Sequence, residues 1–426
     1  MITSRNSTAL VSACAVVTAL LAFAREAAAQ RAVETPSSET AAAGNASAPP
    51  PPGPLATPCG AVIVCGGEIS SQIQALATTS SGGKAAISDD TSTDLYANYS
   101  NWLSAYGNIK LERQRNDNLD SFFPDRDAAF RSEGLTLRQL FLAMRPFSGA
   151  TIYGGKIHPN FGSAFAEAPG NFYNFGTDYE QDERIGVGGQ YFLPEAFGHH
   201  LRVSLESFFL DTTPLSGSLF SRPGLNDPDP TARPYRYTLG QFGPSNTNTL
   251  ASYTVALRGG EAERGLTYQL SFTREATIDP LGKTEYGESF GVSYDPTGDG
   301  IPLTDRLGVT PFLEFTHFDN FQNNPSMARN YLIAGATFNY IRWHMSFAGG
   351  LRQTHDPANA AGQPFTNALA TQERNALDHQ ANVSLNYDLP IAISYGLSVG
   401  AGINHVHIAG RDSWSFGPSA NLSFAF

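Results

Sequence analysis

The chain has 426 residues, a length that could accommodate roughly two or three soluble domains, so length alone does not decide the class. Its composition is more informative: 41 glycines, 28 phenylalanines and 17 tyrosines accompany only 4 methionines and 15% charged residues, a profile typical of a glycine- and aromatic-rich β protein. The net charge of −12 argues against nucleic acid as a partner, because a phosphate backbone binds basic surfaces.

The longest apolar stretch lies near the N-terminus, from Thr8 to Ala24, with Arg5 before it and Ala27–Ala29 after it. This order of basic residue, apolar run and small residues predicts a secretory signal peptide, residues 1–29, that is cut after Ala29. A membrane anchor is the alternative, although the run has only about the minimum length for a span. No later segment has the roughly 18 consecutive apolar residues of a membrane helix, so any spanning must be done by strands.

Residues 30–92 differ in composition from the rest of the chain, being rich in Ser, Thr, Ala and Pro. This composition predicts a disordered periplasmic arm. Its apolar patch Ala61–Val64 could act as a plug in a barrel mouth or as a simple hinge. Cys59 and Cys65 could form a small disulfide loop in an oxidising compartment, with two unpaired thiols as the alternative. Their spacing matches no standard zinc pattern, so no metal is expected there.

From residue 93 onward, the chain consists of segments of about ten residues, and within each segment apolar and polar residues alternate. In Trp414–Phe426, apolar residues fill the even positions and small or polar residues fill the odd ones. Alternation also fits a soluble sandwich or a lipocalin-like barrel. Here the polar rows consist mainly of Gly, Ser, Asn, Thr and Gln, which suits a water-filled lumen, and aromatics at the ends of the apolar rows suit an interfacial girdle.

Residues 93–426 are therefore predicted to form an all-β, transmembrane antiparallel β-barrel of about 14 strands, and counts of 12 to 16 also fit because closure favours an even number. Connections after odd strands are mostly longer than those after even strands, as expected when short turns face the periplasm. The strands are predicted near residues 104–113, 135–145, 150–158, 184–193, 200–211, 250–258, 265–274, 285–295, 308–317, 330–341, 343–353, 377–388, 391–405 and 414–426.

The signal peptide, the array of amphipathic strands and the terminal segment Asn421–Phe426 resemble the outer-membrane porin-like barrels of Gram-negative bacteria. The resemblance implies a location in the outer membrane, contact with its lipid and lipopolysaccharide, and assembly by machinery that reads the terminal aromatic residues, here Phe424 and Phe426. It implies no cofactor and is compatible with a homo-oligomer. It does not single out a solute.

If the aromatic rows face lipid, the opposite rows line the pore, because charges at membrane depth must face water or a partner. The electric field of such charges could make the pore selective for ions. The alternative is that these residues form a generic polar wall without selectivity. The pore-lining candidates are Lys110, Glu112, Lys156, His158, Arg202, Glu206, Arg258, Glu314 and Arg352.

The sequence predicts a channel for passive or facilitated diffusion of small hydrophilic solutes, narrowed by the long connection 212–249. One alternative is a transporter of hydrophobic or aromatic compounds with the N-terminal arm as plug, and another is a non-transporting surface barrel that binds partners through its loops. His405 and His407 share one face, but this is the apolar face, so no metal is expected. No nucleophile motif accompanies the histidines near the rim, so an enzyme is not expected.

Overall fold

The computed structural model describes most of the chain after residue 56, in stretches separated by short gaps. These stretches are residues 57–58, 63–78, 84–100, 102–113, 128–129, 133–172, 175–196, 199–216, 239, 243–261, 265–295, 301–304, 306–325, 327–355, 377–390, 395–408 and 410–425. The predicted signal peptide and residues 30–56 of the predicted arm lie outside them.

Sixteen long antiparallel strands form a single closed barrel. They are β1 (Ile63–Thr78), β2 (Lys84–Tyr99), β3 (Leu103–Arg113), β4 (Glu133–Met144), β5 (Ala150–Ile157), β6 (Arg184–Ala196), β7 (His199–Leu210), β8 (Ser252–Glu261), β9 (Leu266–Glu275), β10 (Glu285–Tyr294), β11 (Leu307–Asp319), β12 (Ala328–Tyr340), β13 (Trp343–His355), β14 (Leu377–Asp388), β15 (Tyr395–Ile408) and β16 (Arg411–Ala425). Three two-residue strands, Thr57–Pro58, Ala128–Ala129 and Ile301–Pro302, pair with β1, β2 and β11.

The barrel closes where β16 pairs antiparallel with β1, with Leu422 opposite Ser71 and Phe424 opposite Ile69. Each of the other barrel strands pairs with its neighbours in chain order. Closure leaves no sheet edge, so the backbone N–H and C=O groups of each strand are bonded to the next strand. Phe424, part of the predicted assembly signal, thus lies in the closing strand, while Phe426 lies outside the described residues.

The two faces of the wall have opposite polarity. In β4, Leu142 is 60% exposed while its neighbour Phe141 is 3% exposed, because successive side chains point to opposite faces. Exposed Leu, Val, Ile and Phe side chains continue around the outer face, for example at Val187, Leu205 and Phe315. An apolar outer face around a largely polar interior is the arrangement that a barrel presents to lipid.

No helix in the described part of the chain is long and apolar enough to cross a membrane.

The predicted all-β antiparallel barrel is confirmed, with sixteen strands, and each of the fourteen predicted strands is present within a few residues of its expected bounds. The boundary at residue 93 is wrong, because β1 and most of β2 lie before it. The outer row of β2 carries Asp89 and Thr91, whose side chains bond to each other and to Ser71 of β1. This polar row weakens the apolar alternation that marks a membrane strand.

The apolar patch Ala61–Val64 does not act as a plug in its described part, because Ile63 and Val64 belong to β1. Cys65, also in β1, is disulfide-bonded. Its predicted partner Cys59 lies outside the described residues, so the pairing itself stays a prediction.

Removal of residues 57–92 is expected to prevent folding, because it leaves β16 and the remaining part of β2 with unpaired backbone groups, each of which costs several kcal/mol in lipid. We expect a chain of residues 57–426 to refold in detergent into a heat-modifiable band with a β-type circular dichroism spectrum. A chain of residues 93–426 is expected to give neither signal. Efficient refolding of the shorter chain would show that β1 and β2 are not part of the barrel wall.

Candidate functional site

The connection between β5 and β6 folds into the barrel interior instead of extending from the rim. We call its described residues, 158–172 and 175–183, the inner segment. It contains one helical turn, α1 (Ala164–Glu167), and a 3-10 turn at Phe175–Asp178. The connection 212–249, which was expected to narrow the lumen, lies largely outside the described residues.

Glu314 of β11 is the principal polar anchor of the inner segment. Its carboxylate accepts hydrogen bonds from the Ser163 backbone N–H at 2.6 Å, the Ser163 hydroxyl at 2.8 Å and the Ala164 N–H at 3.1 Å. The Tyr179 hydroxyl donates to its second oxygen. Glu314 is 1% exposed, so this predicted pore-lining residue points inward but lies beneath the inner segment.

Arg352 of β13 is a second anchor. Its guanidinium donates two hydrogen bonds to Asp378 of β14, at 2.8 and 2.9 Å, and one to Asp178 of the inner segment at 2.9 Å. The guanidinium carbon also lies 5.1 Å from the centre of the Phe175 ring. Because both carboxylates bind this cation in a buried position, Arg352 holds the inner segment in place and does not line an open lumen as predicted.

Glycines on the inner face of the wall make room for the inner segment. A Cβ atom added at Gly335 would lie 2.5 Å from the Pro169 ring, and one at Gly402 would lie 2.4 Å from the Phe172 ring. Gly350 makes a similar close approach to Phe175. Any larger residue at these positions would displace the inner segment, which accounts for part of the high glycine content.

Apolar contacts complete this docking on the side of β11 to β15. The buried cluster joins residues of the inner segment to inward-facing residues of these strands and of the turn between β11 and β12. Its members are Phe161, Ala164, Phe175, Tyr179, Phe312, Phe318, Phe321, Met327, Tyr331, Ile333, Val406 and Ile408. Burial of this cluster fills one side of the barrel interior with packed side chains.

A small polar cavity lies on the side of β7 to β9. Arg202 of β7 and Arg258 of β8 are direct cross-strand neighbours and both point inward. With Asn160 and Gln269 they line this cavity. Arg258 donates a hydrogen bond of 2.6 Å to the carboxylate of Glu167 in α1, so arginines on the wall face an acid on the inner segment.

Glu206 and Lys110 also point inward, each with a partner. Glu206 is fully buried and accepts hydrogen bonds from the Tyr153 hydroxyl at 2.6 Å and from Asn160. Lys110 forms an ion pair of 3.1 Å with Asp90 of β2. The strand position of Glu112 is confirmed, but its side chain lies outside the described set.

Lys156 was predicted to line the pore, and this prediction is wrong. Lys156 lies directly opposite Leu140 of β4, whose side chain is on the exposed outer face. Its ammonium group forms an ion pair of 2.9 Å with Asp211 and donates to the carbonyl of Leu215. The error is one of register, since a shift of one residue in a strand exchanges the two faces.

His158 belongs to a partly buried cluster with Glu180 and Asp182, whose ligand atoms all lie within 4.8 Å of one another. Arg138 of β4 pairs with both carboxylates. Burial and the neighbouring Asp182 raise the pKa of Glu180. Burial alone would also raise the pKa of Asp182, but Arg138 and His158 together hold it below its usual value. Since Arg138 contacts both carboxylates and His158 contacts Asp182, the cluster is an ion-pair network that fastens the inner segment to β4.

The partners of the buried anchors were not found from the sequence. Ser163, Glu167, Asp178 and Tyr179 all lie in a connection without alternation, and Ser163 is 151 residues from Glu314. Only the inward row of each strand could be derived from the sequence, because it follows from a period of two.

Replacement of Glu314 by leucine is expected to lower the free energy of unfolding by about 3 kcal/mol, because buried N–H and hydroxyl donors lose their acceptor. Denaturant titration of the refolded barrel in detergent would measure the change. The matched control is Glu288→Leu, which removes an exposed carboxylate from the adjacent strand and should change stability by less than about 0.5 kcal/mol. Equal effects of the two substitutions would contradict the role of Glu314 as an anchor.

No family model matches the chain, and no curated protein matches it. Solved structures do match. OprB of Pseudomonas putida is 11% identical, with 85% of this chain and 94% of OprB covered and a TM-score of 0.50. The outer membrane channel DcaP of Acinetobacter baumannii is 14% identical over 85% of this chain and 97% of its own, with a TM-score of 0.49. At these identities the similarity concerns the fold alone, and it confirms the resemblance to Gram-negative outer-membrane porin-like barrels at that level.

Proposed function

We propose that the protein is an outer-membrane channel for passive or facilitated diffusion of small hydrophilic solutes. The observation that carries this proposal is the polar cavity beside Arg202, Arg258 and Glu167 inside a closed barrel with an apolar outer face, and we take this cavity as part of the solute passage. A closed wall separates the lumen from lipid, and polar side chains inside it replace the hydration of a passing solute. The inner segment narrows the lumen and sets the size of what can pass.

We propose further that the passage prefers anions. Cross-strand neighbours have Cβ atoms about 5 Å apart, so the two guanidinium groups repel each other. Glu167 pairs with Arg258, and among the described residues Arg202 has no carboxylate partner. Two positive charges and one negative charge leave a local excess of positive charge. A small anion that enters between the arginines would relieve their repulsion.

The outer face supports contact with outer-membrane lipid and lipopolysaccharide, because its apolar rows stay exposed among the described residues. Assembly by machinery that reads the terminal aromatics, and association into a homo-oligomer, belong to the same proposal.

The double substitution Arg202→Gln and Arg258→Gln is expected to shift ion preference toward cations, because it removes both guanidinium charges and leaves Glu167 in the passage. The measurement is the reversal potential of single channels in planar bilayers with a tenfold gradient of potassium chloride. We expect the ratio of chloride to potassium permeability to fall roughly threefold. Lys283→Gln, which removes an exposed cation between β9 and β10, should leave the ratio unchanged.

An unchanged reversal potential in the double variant would remove the arginine pair from ion selection. Silence of a verified folded barrel would contradict the channel itself and favour the non-transporting surface barrel.

A further inference from the structure

Three histidines and an aspartate meet on the outer face of the barrel. His379 of β14 lies directly opposite His407 of β15, and His407 lies directly opposite Asp412 of β16. His405 occupies the same row two residues before His407. Buried side chains such as Gln380 and Val406 alternate with these residues, so all four belong to the outward row of three adjacent strands.

The four side chains are in contact. One carboxylate oxygen of Asp412, Oδ1, lies 2.9 Å from His407 Nδ1 and 3.1 Å from His405 Nε2. The His379 ring stacks on the His407 ring, with centroids 4.9 Å apart and planes 11° apart, and its centroid is 5.5 Å from that of His405. The rings remain accessible, because the side chains of His405 and His407 are 18% and 28% exposed.

The cluster lies near the end of the barrel that carries the long connections. β14 begins after the connection 356–376, and the turn between β15 and β16 at residues 409–410 is at the same end. Trp414, on the same outward row, packs against His405 with ring centroids 4.3 Å apart. Tryptophan at such a position is typical of the interface between lipid and water. A hydrated ion can therefore reach the cluster without entering the hydrocarbon layer.

Imidazole nitrogens together with one carboxylate are the donors that zinc, copper and nickel ions prefer. Bonds of about 2.0–2.2 Å to a tetrahedral metal place neighbouring donor atoms about 3.3 Å apart. The two distances to Asp412 Oδ1 are already near this value. Since the imidazole rings are accessible to solvent, they can rotate about their side-chain bonds to close the remaining gap, while strand pairing fixes their backbone positions.

We propose that this cluster binds one divalent transition-metal ion through His405, His407 and Asp412, with His379 as the fourth ligand. The bound ion links β14, β15 and β16 beside the seam where the barrel closes. Other described histidines lack this combination, since His317 and His344 each contact a single carboxylate and no second imidazole. In the cluster of His158, Glu180 and Asp182, Arg138 takes the place that a cation would need.

The test is a calorimetric titration of the refolded full-length mature chain, residues 30–426, with zinc chloride at pH 7.5. The chain must carry no histidine tag, because a tag would bind the metal itself. We expect one equivalent of zinc to bind. Affinity should fall at least about tenfold in His405→Asn/His407→Asn and in Asp412→Asn. The matched control is His317→Asn, which removes an outward histidine near the same rim and should leave binding unchanged.

Protons compete with metal for imidazole nitrogen, so zinc affinity is expected to be lower at pH 5.5 than at pH 7.5. Copper(II) provides an independent readout, because electron paramagnetic resonance reports nitrogen ligands directly. The wild type should show at least two coupled nitrogens, and the double histidine variant should show fewer.

Absence of zinc binding to a barrel whose folding is verified by heat-modifiable mobility would overturn the proposal. Equal binding by the wild type and by His405→Asn/His407→Asn would also overturn it. Neither readout requires ionic current, so the metal site and the channel can fail independently of each other.

Discussion

The structure depends on the closure of the sheet between β16 and β1. In a lipid layer no water is present to satisfy backbone N–H and C=O groups, so a strand without a neighbour on either side would carry a penalty of several kcal/mol for each unpaired group. Sixteen antiparallel strands remove every such edge among the barrel strands. Closure also fixes the register of each strand, and register decides which side chains face lipid and which face the lumen. The polarity of the wall, the inward arginines and the outward histidines all follow from it.

The described interior has one side filled with packed side chains and another side with a polar cavity. On one side, the inner segment is buried against β11 to β15, where Glu314 and Arg352 each bind groups of the segment. A buried charge is tolerated only when partners satisfy it, so these residues specify the position of the segment and leave no charge for a solute. On the other side, Arg202 and Arg258 retain an excess of positive charge beside Glu167. The same residue type thus has a structural role at position 352 and a proposed role in solute passage at positions 202 and 258.

The sequence predicted the wall well and the interior poorly, for physical reasons. A period of two in polarity locates strands and their inward rows, which is why Arg202, Arg258 and Glu314 were correctly expected to point inward. The same rule missed β1 and β2, where Asp89 makes the outer row polar, and it misplaced Lys156 through a register error of one residue. The path of a connection through the lumen has no such period. The pairing of Glu314 with Ser163 therefore required the three-dimensional structure.

Polar side chains on the outer face of a barrel need an explanation, because lipid offers them no hydrogen bonds. Asp89 receives hydrogen bonds from Ser71 and Thr91, and Lys156 is paired with Asp211. In both cases the chain supplies a partner for the charged group. The histidine cluster differs, because one carboxylate pairs with two imidazoles and a third imidazole contacts them only through its ring. The cluster therefore brings several imidazole nitrogens together on an accessible surface, and a transition-metal ion is the partner that several imidazoles can coordinate at once.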